Sequence, residues 1–233
     1  MGFRRTIVPA RLLTGGELTA TLVGIGVNLA APAARDPNIE DVLLAASVEG
    51  LAKDDLRVLS LLTSWLAVHA PRVNADRLTA LVREQSSPRV RAFWSAFARW
   101  QSKDRRFSRM ARAYRGPRID LLATGTDFHV KRAGEDPRFG GTPLRVPAHV
   151  LRDRKGDVLS PAEVARRHGA YRRRVMLGPS YRADMGAELE ADPTLSPAEL
   201  ARRTYGSFAT AWQVKHDWQV LAGIGSSPAS SMA

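Results

Sequence analysis

A nine-residue phrase occurs twice in this chain. Leu159-Ser160-Pro161-Ala162-Glu163-Val164-Ala165-Arg166-Arg167 returns 36 residues later as Leu195-Ser196-Pro197-Ala198-Glu199-Leu200-Ala201-Arg202-Arg203, with only Val164 and Leu200 differing. Each copy opens with Ser-Pro-Ala-Glu. Serine at the cap accepts from the backbone of the glutamate, proline fits the first helical position, and the glutamate reaches back to the cap N–H. Both copies are therefore expected to start helices through a capping box. Each then reaches a glycine, Gly169 or Gly206, and a second run with helical character. A duplicated two-helix unit is the strongest constraint on the fold.

The second copy is the more complete. Pro197 to Thr204 forms the first helix, with Leu200 and Ala201 inward. Tyr205-Gly206-Ser207 makes the turn, where glycine is expected to supply a positive φ. Phe208 to Leu221 forms the second helix, with Ala211, Val214, Trp218 and Leu221 inward. Ala-Arg-Arg, Gly-Ser and then Ala209-Thr210-Ala211-Trp212 resembles the core of many bacterial helix-turn-helix regulators. In these a small residue in the first helix precedes a Gly-Ser turn and an Ala-Thr-x-aromatic start to the recognition helix. The match covers residues 195–221, with one extra residue between alanine and glycine. The resemblance implies that the second helix lies in the DNA major groove. Its exposed residues would then be Ser207, Thr210, Gln213, Lys215 and His216. Gln213 suits a bidentate contact to adenine, and Ser207 and Thr210 suit phosphate or base edges. Arg202 and Arg203 would meet backbone phosphates. A plain helical hairpin that only holds a core together is the alternative.

The first copy is more basic and shorter. Arg172, Arg173 and Arg174 follow Gly169, and Gly178-Pro179 stops the second helix early. These arginines are candidates for phosphate contact, or else a solvated basic face.

The chain carries 35 Lys+Arg against 23 Asp+Glu, a net charge of +12. Thirty of the cations are arginine, whose planar fork matches phosphate and guanine edges. Arginine-rich composition also follows from a GC-rich genome, so the distribution says more than the total. Residues 1–86 are neutral, 119–158 carry +1 and 159–233 carry +2, whereas 87–118 alone carry +9, with Asp104 the lone acid. Codon bias spreads arginine but does not clear out carboxylates, so 87–118 is a candidate electrostatic footprint for DNA, RNA or an acidic protein. Arg105, Arg106, Arg109 and Arg112 are its phosphate-contact candidates. Phe93, Phe97 and Trp100 in the same stretch fall on one helical stripe and read as core rather than as base-stacking platforms.

Elsewhere the pattern is helical. Asp36-Pro37 is expected to open a helix through Val42, Leu43, Leu44 and Leu51. Asp54 or Asp55 opens one with Leu56, Leu59, Leu62, Trp65 and Leu66 inward, ending before Pro71. Asn74 caps a third with Leu78, Leu81 and Val82 inward. Ser87-Pro88 starts a fourth, and a fifth is expected from about Ser102 to Tyr114. Between 117 and 158, glycines and prolines punctuate three short strand-like runs, Ile119–Ala123, Phe128–Lys131 and Leu144–Val150. The start of the chain, with Phe3-Arg4-Arg5 before an apolar run at Leu18–Ala31, has the outline of a signal peptide. Glu17, Asn28 and four glycines interrupt that outline, so a buried strand pair or short helix is expected instead. The run is too short to span a bilayer.

Enzyme signatures are thin. There is no P-loop, no complete dinucleotide glycine pattern and no nucleophile elbow. The five histidines lack metal-ligand spacing, and there is no cysteine. Asp120, Asp127 and His129 are the one polar group considered as a small site. The expected protein is mainly α, with a helical N-terminal domain (1–116) for assembly or partner binding. A small β element or connector (117–158), a helix-turn-helix block (159–222) and a flexible tail (223–233) follow. The expected function is sequence-specific DNA binding in a cytoplasmic bacterial regulator, without cofactor, metal, catalysis or membrane contact. An antitoxin-type setting, binding a cognate toxin, is an analogy with regulators of this style. A protein-binding adaptor without DNA contact and an RNA-binding protein using 87–118 are the alternatives.

Overall fold

The computed structural model describes residues 8–225, with no side-chain detail at 222, 224 and 225. The expected basic start at Phe3-Arg4-Arg5 and the tail beyond Gly225 lie outside the described residues. The fold is mainly α, and the described chain divides into two compact units, one ending at His168 and the other beginning at Gly169. The division falls just after the first copy of the repeated phrase, rather than at the 158/159 boundary expected from sequence.

The larger unit begins with α1 (Gly15–Gly24), a short helix over the first part of the apolar run, with Leu18 and Leu22 buried. Next come α2 (Ile39–Ala52), α3 (Leu56–His69), α4 (Ala75–Arg83) and α5 (Pro88–Trp100). Asn38, not Asp36, caps α2 by accepting from Asp41 N at 3.1 Å, because Asp36 sits in the left-handed region at φ 43°. Asp55, Asn74 and Ser87 cap α3, α4 and α5 as their sequence contexts predict. The core gathers Leu43, Leu62, Trp65, Leu66, Leu78, Leu81, Phe93, Trp94 and Phe97, all buried. Each such side chain contributes roughly 1.5–3 kcal/mol by leaving water. Both buried tryptophans satisfy their N–H, Trp65 to Ile25 O and Trp94 to Ser47 Oγ, each at 2.9 Å. The aromatic stripe of 87–118 is thus core, with Trp100 half-buried at its end.

Beyond α5 three expectations are corrected. The fifth helix is absent; single 3₁₀ turns at Arg105–Phe107 and Met110–Arg112 replace it and drive Phe107 and Met110 into the core. The expected strand Phe128–Lys131 is the helix α6 (Thr126–Ala133), bounded by Gly125 and Gly134, both at positive φ. With Phe128 63% exposed, no apolar face required a sheet there. The other two runs shrink to β1 (Ile119–Asp120) and β2 (Leu144–Arg145), paired in parallel with Ile119 opposite Leu144. The loop from 148 to 157 lies along α3, where Ser60 and Ser64 accept from Arg152 N and Arg154 N at 3.1 and 2.8 Å. The unit closes with α7 (Pro161–Arg167), the first copy of the phrase.

The second unit is four helices: α8 (Gly169–Leu177), α9 (Tyr181–Ala191), α10 (Pro197–Thr204) and α11 (Phe208–Gly225). Gly178, at φ 78°, ends α8 where the sequence places the stop.

Candidate nucleic-acid interface

Helices α9, α10 and α11 enclose one small core of Met185, Leu189, Leu195, Leu200, Ala201, Ala211 and Val214, with Tyr181 and Trp218 against its edge. The turn between α10 and α11 has a chemistry that differs from the expected one. The positive φ falls on Tyr205, at 58°, and not on Gly206. Gly206 is needed for space: a Cβ there would come within 2.2 Å of Cε of buried Met185. Ser207 then caps α11, its Oγ accepting from Thr210 N at 3.1 Å and lying 2.8 Å from Thr210 Oγ1.

The two copies of the phrase open their helices differently. In α7 the capping box is complete, with Ser160 N donating to Glu163 Oε2 at 2.8 Å. In α10 only the serine half forms, Ser196 Oγ accepting from Glu199 N at 3.2 Å. Glu199 turns forward to accept from Arg202 Nε at 2.8 Å and Arg203 Nε at 2.9 Å. These two guanidinium donors hold its carboxyl down to about 2.

Of the five proposed base-contact residues, Gln213 and His216 stand exposed on α11. Gln213 donates to Asp217 Oδ1 at 2.8 Å, and His216 lies parallel to the Trp212 ring at 5.6 Å between centroids. Ser207 and Thr210 are half-buried in the cap, and Lys215 donates to Pro193 O. Leu221, expected inward, is 66% exposed, because the core below α11 ends at Trp218. The exposed large apolar side chains described on the helix are Phe208, Trp212, Val220 and Leu221. Phe208, Trp212 and Val220 share a face at four- and eight-residue spacing, a pattern present in the sequence but not used there.

The proposed phosphate contacts also sort by position. Arg174 is corrected outright. It is buried and donates to both oxygens of buried Asp184, at 2.7 and 2.9 Å, so it holds α8 to α9 and meets no solvent. Arg172 and Arg173 pair with Glu190, Arg202 and Arg203 with Glu199, and Arg182 with Asp217. Every arginine between 169 and 225 is thus in an ion pair.

The other unit differs. Arg106 is tied to Asp104 and to the carbonyls of Ala70, Pro71 and Val73, so it secures the 3₁₀ turn rather than facing a ligand. Arg109 lies 3.9 Å from Asp76, with both side chains at least 70% exposed. Arg99, Lys103, Arg105, Arg112 and Arg115 are exposed and form no ion pair among the described residues. The charge excess read from 87–118 is therefore presented as free cations around the two 3₁₀ turns.

Of Asp120, Asp127 and His129, the two aspartates are joined through Arg145, at 2.7 Å from Asp127 and 3.6 Å from Asp120, while His129 takes no part in these pairs and packs edge-on against Phe128. Among the described residues no three acidic or histidine side chains are grouped to hold a metal ion. No described helix is long and apolar enough to cross a membrane. The chain matches no protein-family model, no curated protein and no solved structure.

Proposed function

We propose that this protein is a sequence-specific DNA-binding regulator in which α11 is the reading helix. The observation that carries this reading is the three-helix frame of α9, α10 and α11. It buries Ala211 and Val214 and leaves Phe208, Trp212, Gln213 and His216 outward on the helix that follows a tight glycine turn. Gln213 keeps its amide oxygen for an adenine N6–H, and Trp212 and Phe208 offer apolar contact to thymine methyl groups. The free cations at Arg99, Lys103, Arg105, Arg112 and Arg115 supply the sequence-independent attraction to phosphate. The arginines of 169–225, being paired, contribute little of it.

Fluorescence anisotropy with duplexes selected from a random pool, repeated over a salt series, tests the proposal. Gln213→Ala with Trp212→Ala should flatten the preference for the selected sequence while leaving non-specific binding in place. Charge reversal at Arg105 and Arg112 should lower affinity for every duplex and reduce the slope of log K against log salt by about 1 for each phosphate no longer neutralised. No binding to any duplex at low salt overturns the proposal, and stronger competition by RNA favours the RNA-binding alternative.

A second reading rests on the apolar exposure of α11. Phe208, Trp212, Val220 and Leu221 suit a protein partner as well as a groove. An antitoxin-type protein that binds a cognate toxin and represses its own operon unites the two, in a cytoplasmic setting. A neighbouring toxin-like reading frame whose product co-purifies with the chain, and is lost with Trp212→Ala, would favour that setting.

A further inference from the structure

The larger unit contains a cavity of about 610 Å³, within the size range of small-molecule sites. It opens between α3, the end of α5 and two loops, 136–138 and 148–155. None of the nucleic-acid contacts proposed above lies in it. Its walls are pre-formed. The Arg138 guanidinium donates to both oxygens of buried Asp136, at 3.0 and 3.1 Å through Nε, and to Leu151 O at 2.7 Å through Nη2. The 148–155 loop is pinned to α3 through Ser60 and Ser64. His149, at φ 66°, holds this loop in a conformation few side chains adopt.

The lining divides into a flat apolar floor and a cationic rim. Trp100, Leu151, Pro137, Ala67 and Ala148 make the floor. The Trp100 ring is fixed by Phe97 and Phe139, at centroid distances of 5.9 and 6.1 Å, with the Arg138 guanidinium 5.7 Å from its centre. On the rim, Asp136 is committed to Arg138 and Asp153 to Lys155 at 3.2 Å. Among the described residues, Nη1 of Arg138 makes no hydrogen bond, and the exposed Arg152 guanidinium has neither ion pair nor hydrogen bond. A pinned guanidinium against an indole and a free guanidinium lining the same cavity suit a planar anion.

We propose that this cavity binds a small aromatic acid: a flat ring system lying along Trp100, with one anionic oxygen group, carboxylate or phosphate, between Arg138 Nη1 and Arg152. The ring gains apolar burial and a cation–π neighbour, and the anion gains two charge-assisted donors.

The test is isothermal titration of the full chain with 2-naphthoate, 2-naphthyl phosphate, 2-naphthalenemethanol and inorganic phosphate. At least one naphthyl anion should bind saturably at one site per chain, and which of the two binds tighter assigns the anionic group. The neutral alcohol and free phosphate should each bind about tenfold more weakly or worse. Arg152→Glu, at an exposed position, should weaken the anion about tenfold and leave the alcohol unchanged. Trp100→Leu, checked for native circular dichroism, should weaken both naphthyl anion and alcohol. The proposal is overturned if neither anion binds at millimolar concentration, if the alcohol binds as tightly as the anions, or if Arg152→Glu binds them as wild type does.

Discussion

Arg174 and His69 illustrate how much a single side chain's surroundings decide. In sequence Arg174 is the third of three identical arginines. In the structure it alone is buried, matched to Asp184, while Arg172 and Arg173 stay at the rim with Glu190. Removing one partner of a buried pair strands the other charge. Arg174→Ala should therefore cost about 3–5 kcal/mol in urea unfolding, whereas Arg172→Ala should cost under about 1 kcal/mol. An Arg174→Met, Asp184→Leu double variant should recover most of the loss. His69 is fully buried at the end of α3, its Nε2 3.0 Å from Leu159 O, and burial pushes the imidazole from 6.5 down to about 4. The folded state holds it neutral, so protonation favours unfolding. Its contribution is complete above about pH 6.5 and is lost as pH falls towards 4, a difference of about 3 kcal/mol. Urea titrations at pH 5 and pH 7 should show about 2 kcal/mol of this loss in the wild type, and a His69→Gln variant should show a shallower pH dependence.

At the scale of elements, most helix starts were legible and strands were not. Asp55, Asn74, Ser87, Ser160 and Ser196 all cap where their spacing places them, because a cap is a local hydrogen bond needing only the next three residues. The glutamates of the two identical phrases part company, since Arg202 and Arg203 compete for Glu199 while Glu163 closes on Ser160. Ser160→Ala removes half of a reciprocal cap and leaves Glu163 with the Ser160 N–H alone; Ser196→Ala removes a lone cap. Each should cost about 1 kcal/mol by thermal unfolding. Glu163→Gln should keep most of the α7 cap, while Glu199→Gln should loosen Arg202 and Arg203. The run Phe128–Lys131 reads as a strand by composition, yet a strand needs a neighbour, and between Gly125 and Gly134 the chain closes on itself as α6. The 3₁₀ turns after α5 likewise follow from where Phe107 and Met110 must go, which no local pattern specifies.

Across the whole molecule, each of the two units has its own apolar core, so the chain from 169 onward should hold its fold when expressed without the first 168 residues. Its core is small for about 65 residues, and the buried Arg174–Asp184 pair links α8 to α9 within it. The fragment should be helical by circular dichroism and melt cooperatively; a featureless melt would show that this core is insufficient alone. By itself the sequence determined the helical class, most helix starts, the aromatic core of α5 and the concentration of charge in 87–118. Periodicity, capping and composition are properties of neighbours along the chain. Tertiary structure alone decided which arginines remain free, that Gly206 is there for Met185 rather than for φ, and that Trp212 faces outward. It also decided that the repeated phrase serves two different units. Each of these depends on a partner far along the chain, whose distance only packing in three dimensions sets.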